Sequence, residues 1–380
     1  IAYTLNSRRL TIETANDLFS AFWDVKQAAV SARLGYEVPW LDILRLLVQT
    51  MSEQQRLFIH ESKMLAYRKE ARAMVSEHVL LHENKQYGFF HESFFDYVFA
   101  RLFAAQDQPL VSMLCQSEQH LFRRAQVRQM LLHRREADFE RYLDDLSSLL
   151  ISPAIRFHLK QIVFAVLKDF AEPTEDEWNV LTTLLNDSQV PYRQSIWLVF
   201  YGSPSWFRLL DRLGVMTQWL TGNNSEHRNQ AFLILTTVQK QEADRVVELV
   251  MPLLERDGMR KQIMTLLLRS DLSTSRRFFE VVLDCIDRGW FDETQTANTS
   301  QTSPVWLLLQ DLSRQQPSWV CEAIGRFLQH CLERSVSVGY CNPFDETLTI
   351  MPHVFPNDTT LLDSAAGAPM DFFKAVYPFM

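Results

Sequence analysis

Three His-Glu dipeptides, at His60, His82 and His91, are the first residues in this chain that invite a chemical reading. A histidine beside a carboxylate can begin a zinc site, but a zinc protease needs a second histidine one helical turn on, so that both imidazoles reach one ion. None of the three is completed in that way. His78 and His82 are four apart, yet they straddle the start of a β-prone run, where four residues span about 13 Å. Glycines that wrap a phosphate are also missing: the chain has 10, with no G-x-x-x-x-G-K-[ST] and no G-x-G-x-x-G. A G-x-S-x-G nucleophile elbow is absent too. The segment is therefore read as having no catalytic site and no metal site of its own.

His91 is what remains. It sits in "YGFFHESFFDYVFARLF", Tyr87 to Phe103. From Phe95, the residues Val98, Phe99, Leu102 and Phe103 fall at i+3, i+4, i+7 and i+8, a helical stripe that must be buried. His91 lies one turn earlier, at the helix start, where Glu92 and Asp96 suit the positive end of the dipole. Arg101 is a candidate partner for Asp96, although their spacing of five is imperfect. Residue chemistry alone leaves two readings open, a satisfied histidine at the edge of a core and a working residue.

The elements that would position His91 come next. "TANDLFSAFWDVKQAAV" reads as a helix with Leu18, Phe22 and Val25 on one face and Thr14 or Asn16 as cap. "WLDILRLLVQTM" is a second, with Leu41, Leu44 and Leu47 or Val48 on one side, and "LAYRKEARAMVSEH" is a third. In "VLLHENKQYGFFH" two β-prone runs flank a turn, which is a hairpin signal. Three helices, a hairpin and a further helix are the order of a winged-helix domain. Lys63, Arg68, Lys69 and Arg72 gather on its third helix and could meet phosphates. Glu61, Glu70 and Glu77 share that region, so a solvated helix face is the competing reading and nucleic acid is disfavoured.

Beyond about residue 105 the elements are helical and recur. "IRFHLKQIVFAVL", "YRQSIWLVF", "HRNQAFLIL" and "MRKQIMTLLL" place Arg156, Arg193, Arg228 and Arg260 at intervals of 37, 35 and 32 residues. Three positions after each comes an apolar residue: Leu159, Ile196, Ala231 and Ile263. Helix pairs at such a period suggest a HEAT-like α-solenoid, in which each pair buries its apolar face on its neighbours. The arginines would either solvate helix starts or form a ridge facing a ligand. The polar stretch 289–304 should be an exposed loop.

The bulk numbers are consistent with this picture. At 47% hydrophobic residues the chain of 380 has ample material for a core, and its formal charge of −8 works against a nucleic acid or an acidic membrane as partner of the whole surface. Five cysteines without C-x-x-C spacing point to a reducing, cytoplasmic setting, and no apolar run long enough for a membrane span is seen. The start at Ile1 and the final "PMDFFKAVYPFM", which reads as a new amphipathic element, suggest a piece of a longer polypeptide.

The order of helices, hairpin and "F-F-H-E-S-F-F-D-Y-V-F-A-R" resembles the winged-helix domain that follows the ATPase core in STAND NTPases of the NACHT type, the NLR-like immune receptors and bacterial antiviral sensors. The resemblance covers roughly residues 10–105. It implies that His91 contacts a phosphate of bound ADP and helps hold a closed state, with Phe90, Ser93, Phe94, Asp96, Tyr97 and Ala100 as its packing frame. It also implies ADP or ATP with Mg, bound mainly by an upstream NTPase core, a protein ligand on the helical array, and homo-oligomerisation on activation. The expected organisation is the end of a helical domain at 1–36, a winged helix at 37–106, the α-solenoid at 107–335, and an irregular connection to a truncated element at 336–380. Two other functions remain open, a HEAT-like interaction scaffold without nucleotide dependence and a DNA-binding winged helix with a helical effector tail.

Overall fold

The computed structural model describes residues 14–290, 304–338 and 358–379, apart from positions 107, 117, 121, 122 and 257. It is mostly helical, with one small antiparallel sheet of three strands. The chain divides into two compact units, Ile1–Val199 and Phe200–Met380.

The first unit opens with α1 (Ala15–Leu34). Thr14 caps it in a reciprocal box with Asp17, and Gly35 ends it in the left-handed region at φ 76°. Its core face is Phe19, Phe22, Trp23, Lys26 and Val30, a phase shift from the expected Leu18, Phe22 and Val25. Leu18 and Val25 are only half-buried, because the larger rings of Phe19 and Trp23 take the interior. Asn16 is no cap; it is buried and donates to Glu136 at 2.9 Å. In α2 (Trp40–Gln54) the inward stripe is Trp40, Ile43, Leu44, Leu47, Val48 and Met51. Leu41 stands one residue off that stripe and is 51% exposed, contrary to expectation.

After α2 come β1 (Phe58–His60), a short 3-10 helix (Glu61–Tyr67), α3 (Arg68–Ser76), β2 (Leu80–Glu83) and β3 (Gln86–Phe89). The sheet order is β1-β3-β2, with Phe58 opposite Gly88 and Leu80 opposite Phe89. The expected hairpin is present and tight: only Asn84 and Lys85 connect it, both at positive φ (49° and 61°), as a two-residue type I′ turn requires. Strand β1, three residues long, has no counterpart in the sequence reading. Gly88 is held to glycine by β1, since a Cβ there would lie 2.5 Å from the Phe58 ring. Gly88→Ala is expected to cost roughly 1–3 kcal/mol by overpacking, read as a lower denaturation midpoint at unchanged slope.

Helix α4 (Glu92–Ala104) follows, then α5 (Leu110–Cys115), α6 (Arg123–Ala137), α7 (Phe139–Ile151), α8 (Phe157–Lys168), α9 (Glu175–Asn186) and α10 (Arg193–Phe200). One core joins α1 and α2 to the sheet and α4, and α4 packs along α6. Packing is therefore continuous across residues 36 and 106, the expected domain limits. Helix α6 packs on α7 and α8, and α7 on α9. Polar bonds there link residues about one period apart: Leu110 N–H donates to Asp145, the Gln119 amide to the Ala154 carbonyl, and the Tyr142 hydroxyl to Glu177, each pair 35 residues apart.

The second unit contains α11 (Pro204–Arg212), α12 (Val215–Thr221), α13 (Ser225–Val238), α14 (Ala243–Val250), α15 (Arg260–Arg269), α16 (Arg276–Asp287), α17 (Pro304–Gln315), α18 (Pro317–Val338), α19 (Asp358–Gly367) and α20 (Pro369–Val376). Helices pack on the next but one: α13 on α15 and α15 on α17, α14 on α16 and α16 on α18. Arg208 pairs with Glu242 at 2.9 Å, Arg245 with Asp211 at 2.6 Å and Arg288 with Glu255 at 2.6 Å. Mostly exposed, such pairs contribute about 0–1 kcal/mol each. Helix α19 lies within the stretch expected to be an irregular connection, while α20 falls where the final amphipathic element was expected, with Pro369 in its first turn. Positions 291–303 of the polar stretch lie outside the described residues.

The four spaced arginines all stand at or within the first turn of a helix, and Leu159, Ile196, Ala231 and Ile263 behind them are fully buried. Three of them serve the connections: Arg156 donates to the Gln119 carbonyl, Arg228 to that of Gly222 and Arg260 to that of Trp290. That is a structural use, and it does not favour a ligand-facing ridge.

Candidate functional site

Strand β3 ends at Phe89, and Phe90 N–H closes the hairpin on the Val79 carbonyl at 3.1 Å. His91 comes next as the N-cap of α4, with φ −142° and ψ 134°. Its carbonyl accepts from the N–H groups of Phe94 and Phe95, and its Nδ1 accepts from Ser93 N–H at 3.2 Å. An accepting Nδ1 carries no proton, so the neutral ring must hold its proton on Nε2. His91 is exposed, and no described residue pairs with Nε2. The result is an outward N–H donor at the positive end of a helix, a place suited to an anion.

The histidine is not at a core edge; it is a surface cap. In the frame expected around it, Phe94, Tyr97 and Ala100 are buried, whereas Phe90 is 46% exposed and Ser93 is exposed. The stripe below holds at Phe95, Val98, Leu102 and Phe103, with Phe99 half-buried beneath the Arg123 guanidinium. Phe94 and Phe19, 5.9 Å apart, and Phe94 and Phe22, 5.0 Å apart in edge contact, fasten the first turn of α4 to α1.

Asp96 is the electrostatic oddity. Burial first, and then the Glu92 charge, push its carboxyl up to about 7. Arg101 does not relieve it: five residues along a helix is about 140° around the axis. Arg101 instead donates to the Tyr97 hydroxyl at 3.1 Å and lies 4.4 Å over the Trp23 ring. Among the described residues Asp96 has no cation partner. Near neutral pH it therefore carries a proton much of the time, which reduces the negative charge around the His91 cap. A carboxyl pKa raised on folding costs nothing below its unfolded value of about 4 and costs most above about 7. Stability should accordingly fall between pH 5 and 8, and Asp96→Asn should abolish most of that fall. Denaturant melts at both pH values read the difference directly.

The other two histidines have local duties. His60 caps the 3-10 helix as His91 caps α4, its Nδ1 accepting from Ser62 N–H at 3.2 Å. His82 Nε2 lies 3.1 Å from Glu61, and its ring stacks on Tyr87 at 4.4 Å. The identical tripeptides His60-Glu61-Ser62 and His91-Glu92-Ser93 thus make the same cap. Their recurrence after an apolar residue was the available signal for this role. β1 pairs His60 with Gln86 near the hairpin turn, while His91 follows the other end of β3, so they do not converge. Among the described residues no group of three or more His, Cys, Asp or Glu could hold a metal ion, and no helix is long and apolar enough to cross a membrane.

No protein-family model matches the chain, and no curated protein does. The site must therefore be read from its own geometry.

Proposed function

We propose that this chain is the regulatory and sensor portion of a STAND-type NTPase of the NACHT kind, acting in immune or antiviral signalling. In this reading residues 37–106 form a winged helix that senses the nucleotide held by an NTPase core, and 107–335 form a HEAT-like α-solenoid that binds a protein ligand. The single observation that carries it is the exposed His91 at the start of α4, whose Nδ1 is taken up by Ser93 N–H so that Nε2 is left as the donor. Two further features support it. The order α2, β1, 3-10 helix, α3, β2, β3 with sheet order β1-β3-β2 suits a winged helix, and the next-but-one helix packing with polar links about 35 residues apart suits a solenoid.

The fit to a nucleotide phosphate rests on the donor at His91 and on Asp96, whose raised carboxyl is only partly ionised near neutral pH; Glu92 is exposed and free to turn away. ADP or ATP with Mg would be held mainly by the core, and the chemistry of hydrolysis would belong there. His91 would contribute one bond to a phosphate oxygen and so tie α4 to the nucleotide. The test is the nucleotide content of the polypeptide purified together with its core: ADP retained by wild type and shed by a His91 variant supports the reading. A polypeptide that holds no nucleotide leaves the interaction scaffold as the better account.

A further inference from the structure

Helix α20 packs on α18 and α19. The approach to α18 is close, since a Cβ added at Gly325 would lie 3.3 Å from the Ala375 Cβ. Phe372 and Val376 flank Ala375 around the helix, all three are half-buried, and no residue of α20 is fully buried. The opposite side carries Met370, Phe373 and Tyr377, at i, i+3 and i+7, which are 65%, 52% and 61% exposed. The rings of Phe373 and Tyr377 stack at 4.7 Å, so the stripe runs on into the 3-10 helix Tyr377–Phe379 that follows. The two charged residues of α20, Asp371 and Lys374, are exposed and have no ion pair among the described residues.

We propose that this stripe is a self-association surface, on which a second copy of the chain lays its own α20 antiparallel. The stripe is its own complement. Turned end for end about Phe373, a second α20 sets its Tyr377 beside Met370 and its Phe373 beside Phe373. The same turn brings the Lys374 of the second copy to Asp371 and its Asp371 to Lys374, the reciprocal contact of a two-fold interface, with the two helix dipoles opposed. A uniformly acidic or basic partner would meet one like charge in that pair. A membrane surface of anionic lipid would find a single lysine on the helix, where binding calls for a basic face. An eight-residue helix is about 12 Å long and covers far less than the ~800 Å² per partner of a stable complex, so the dimer should form only as concentration rises. The inference is independent of the nucleotide reading, since α20 and the His91 cap lie in different units and the test contains no nucleotide.

The test is sedimentation velocity of the chain from about 1 to about 100 μM, the range in which a small interface fills. Wild type should pass from monomer to dimer. Phe373→Asp should stay monomeric throughout and keep the wild-type Tm, because the ring it removes is exposed. Asp371→Lys and Lys374→Asp should each weaken dimerisation about ten-fold by setting like charges together. An equal mixture of those two variants should restore it, since each then meets the opposite charge in the other. A wild-type chain that stays monomeric, a dimer that Phe373→Asp retains, or a mixture that fails to recover would each overturn the proposal. A lower Tm in Phe373→Asp at the lowest concentration would do the same, by placing the stripe in the packing of its own chain.

Discussion

Glu177→Ala should destabilise the first unit by about 3–5 kcal/mol, the cost of leaving buried polar partners without their charge. Glu177 is fully buried and accepts from Arg135 at 2.7 and 3.2 Å, from the Tyr142 hydroxyl at 2.8 Å and from Thr174 N–H at 2.8 Å. One carboxylate thus closes the capping box of α9 and joins α6, α7 and α9. Arg135 also lies 3.9 Å over the Phe170 ring and donates to the Glu172 carbonyl, so it cannot simply swing into water. Burial and then the Glu177 charge hold the Tyr142 phenol far above its usual range, and it stays a donor at any workable pH. Glu177→Gln keeps an acceptor for two of the three donors and should cost less. Urea denaturation of both variants separates the two effects: near-equal losses would mean that the charge carries almost all of the contribution, and a small loss in Glu177→Gln alone would mean that it carries little.

Phe95→Ala should be of similar size, about 3–5 kcal/mol, through the cavity it opens. Phe95 is 1% exposed and lies 5.8 Å from the Phe89 ring, where the hairpin meets α4. The contrast is Leu41→Ala, a chemically comparable truncation at an exposed position, expected within about 0.5 kcal/mol of wild type. Thermal melts of the pair check this, and similar losses at both positions would contradict the assignment of the core face.

How far the sequence could be read follows from what each signal measures. Periodicity found the helices because a buried stripe repeats every 3.6 residues, and it placed the apolar residues after the spaced arginines correctly. It misphased α1, where Phe19 and Trp23 compete with Leu18 and Val25, and it took Leu41 as inward although Trp40, one residue earlier, sets the stripe of α2. β1 escaped because three residues cannot show alternation, and its partner β3 lies almost thirty residues on. Helix α19 was hidden by the prolines that precede it, whereas α20 lies where the final amphipathic element was expected. The His91 motif was legible as a motif, but its cap geometry was not, since Nδ1 and Nε2 are indistinguishable in a sequence. Glu177 could be seen as the third residue after Thr174; that it is buried and shared by three helices could not.

The central claim is that His91 donates from Nε2 to a nucleotide phosphate, and His91→Ser tests it most directly. Serine keeps the N-cap acceptor, so the start of α4 should survive with a change of only a few tenths of a kcal/mol, yet it cannot reach outward as the imidazole does. A hydrogen bond of this kind is worth roughly 1.5–3 kcal/mol when charge-assisted. The dissociation rate of ADP from the polypeptide with its NTPase core should therefore rise about ten-fold or more in His91→Ser, at an essentially unchanged Tm. Unchanged ADP release in that variant would show that His91 is a helix cap and nothing further.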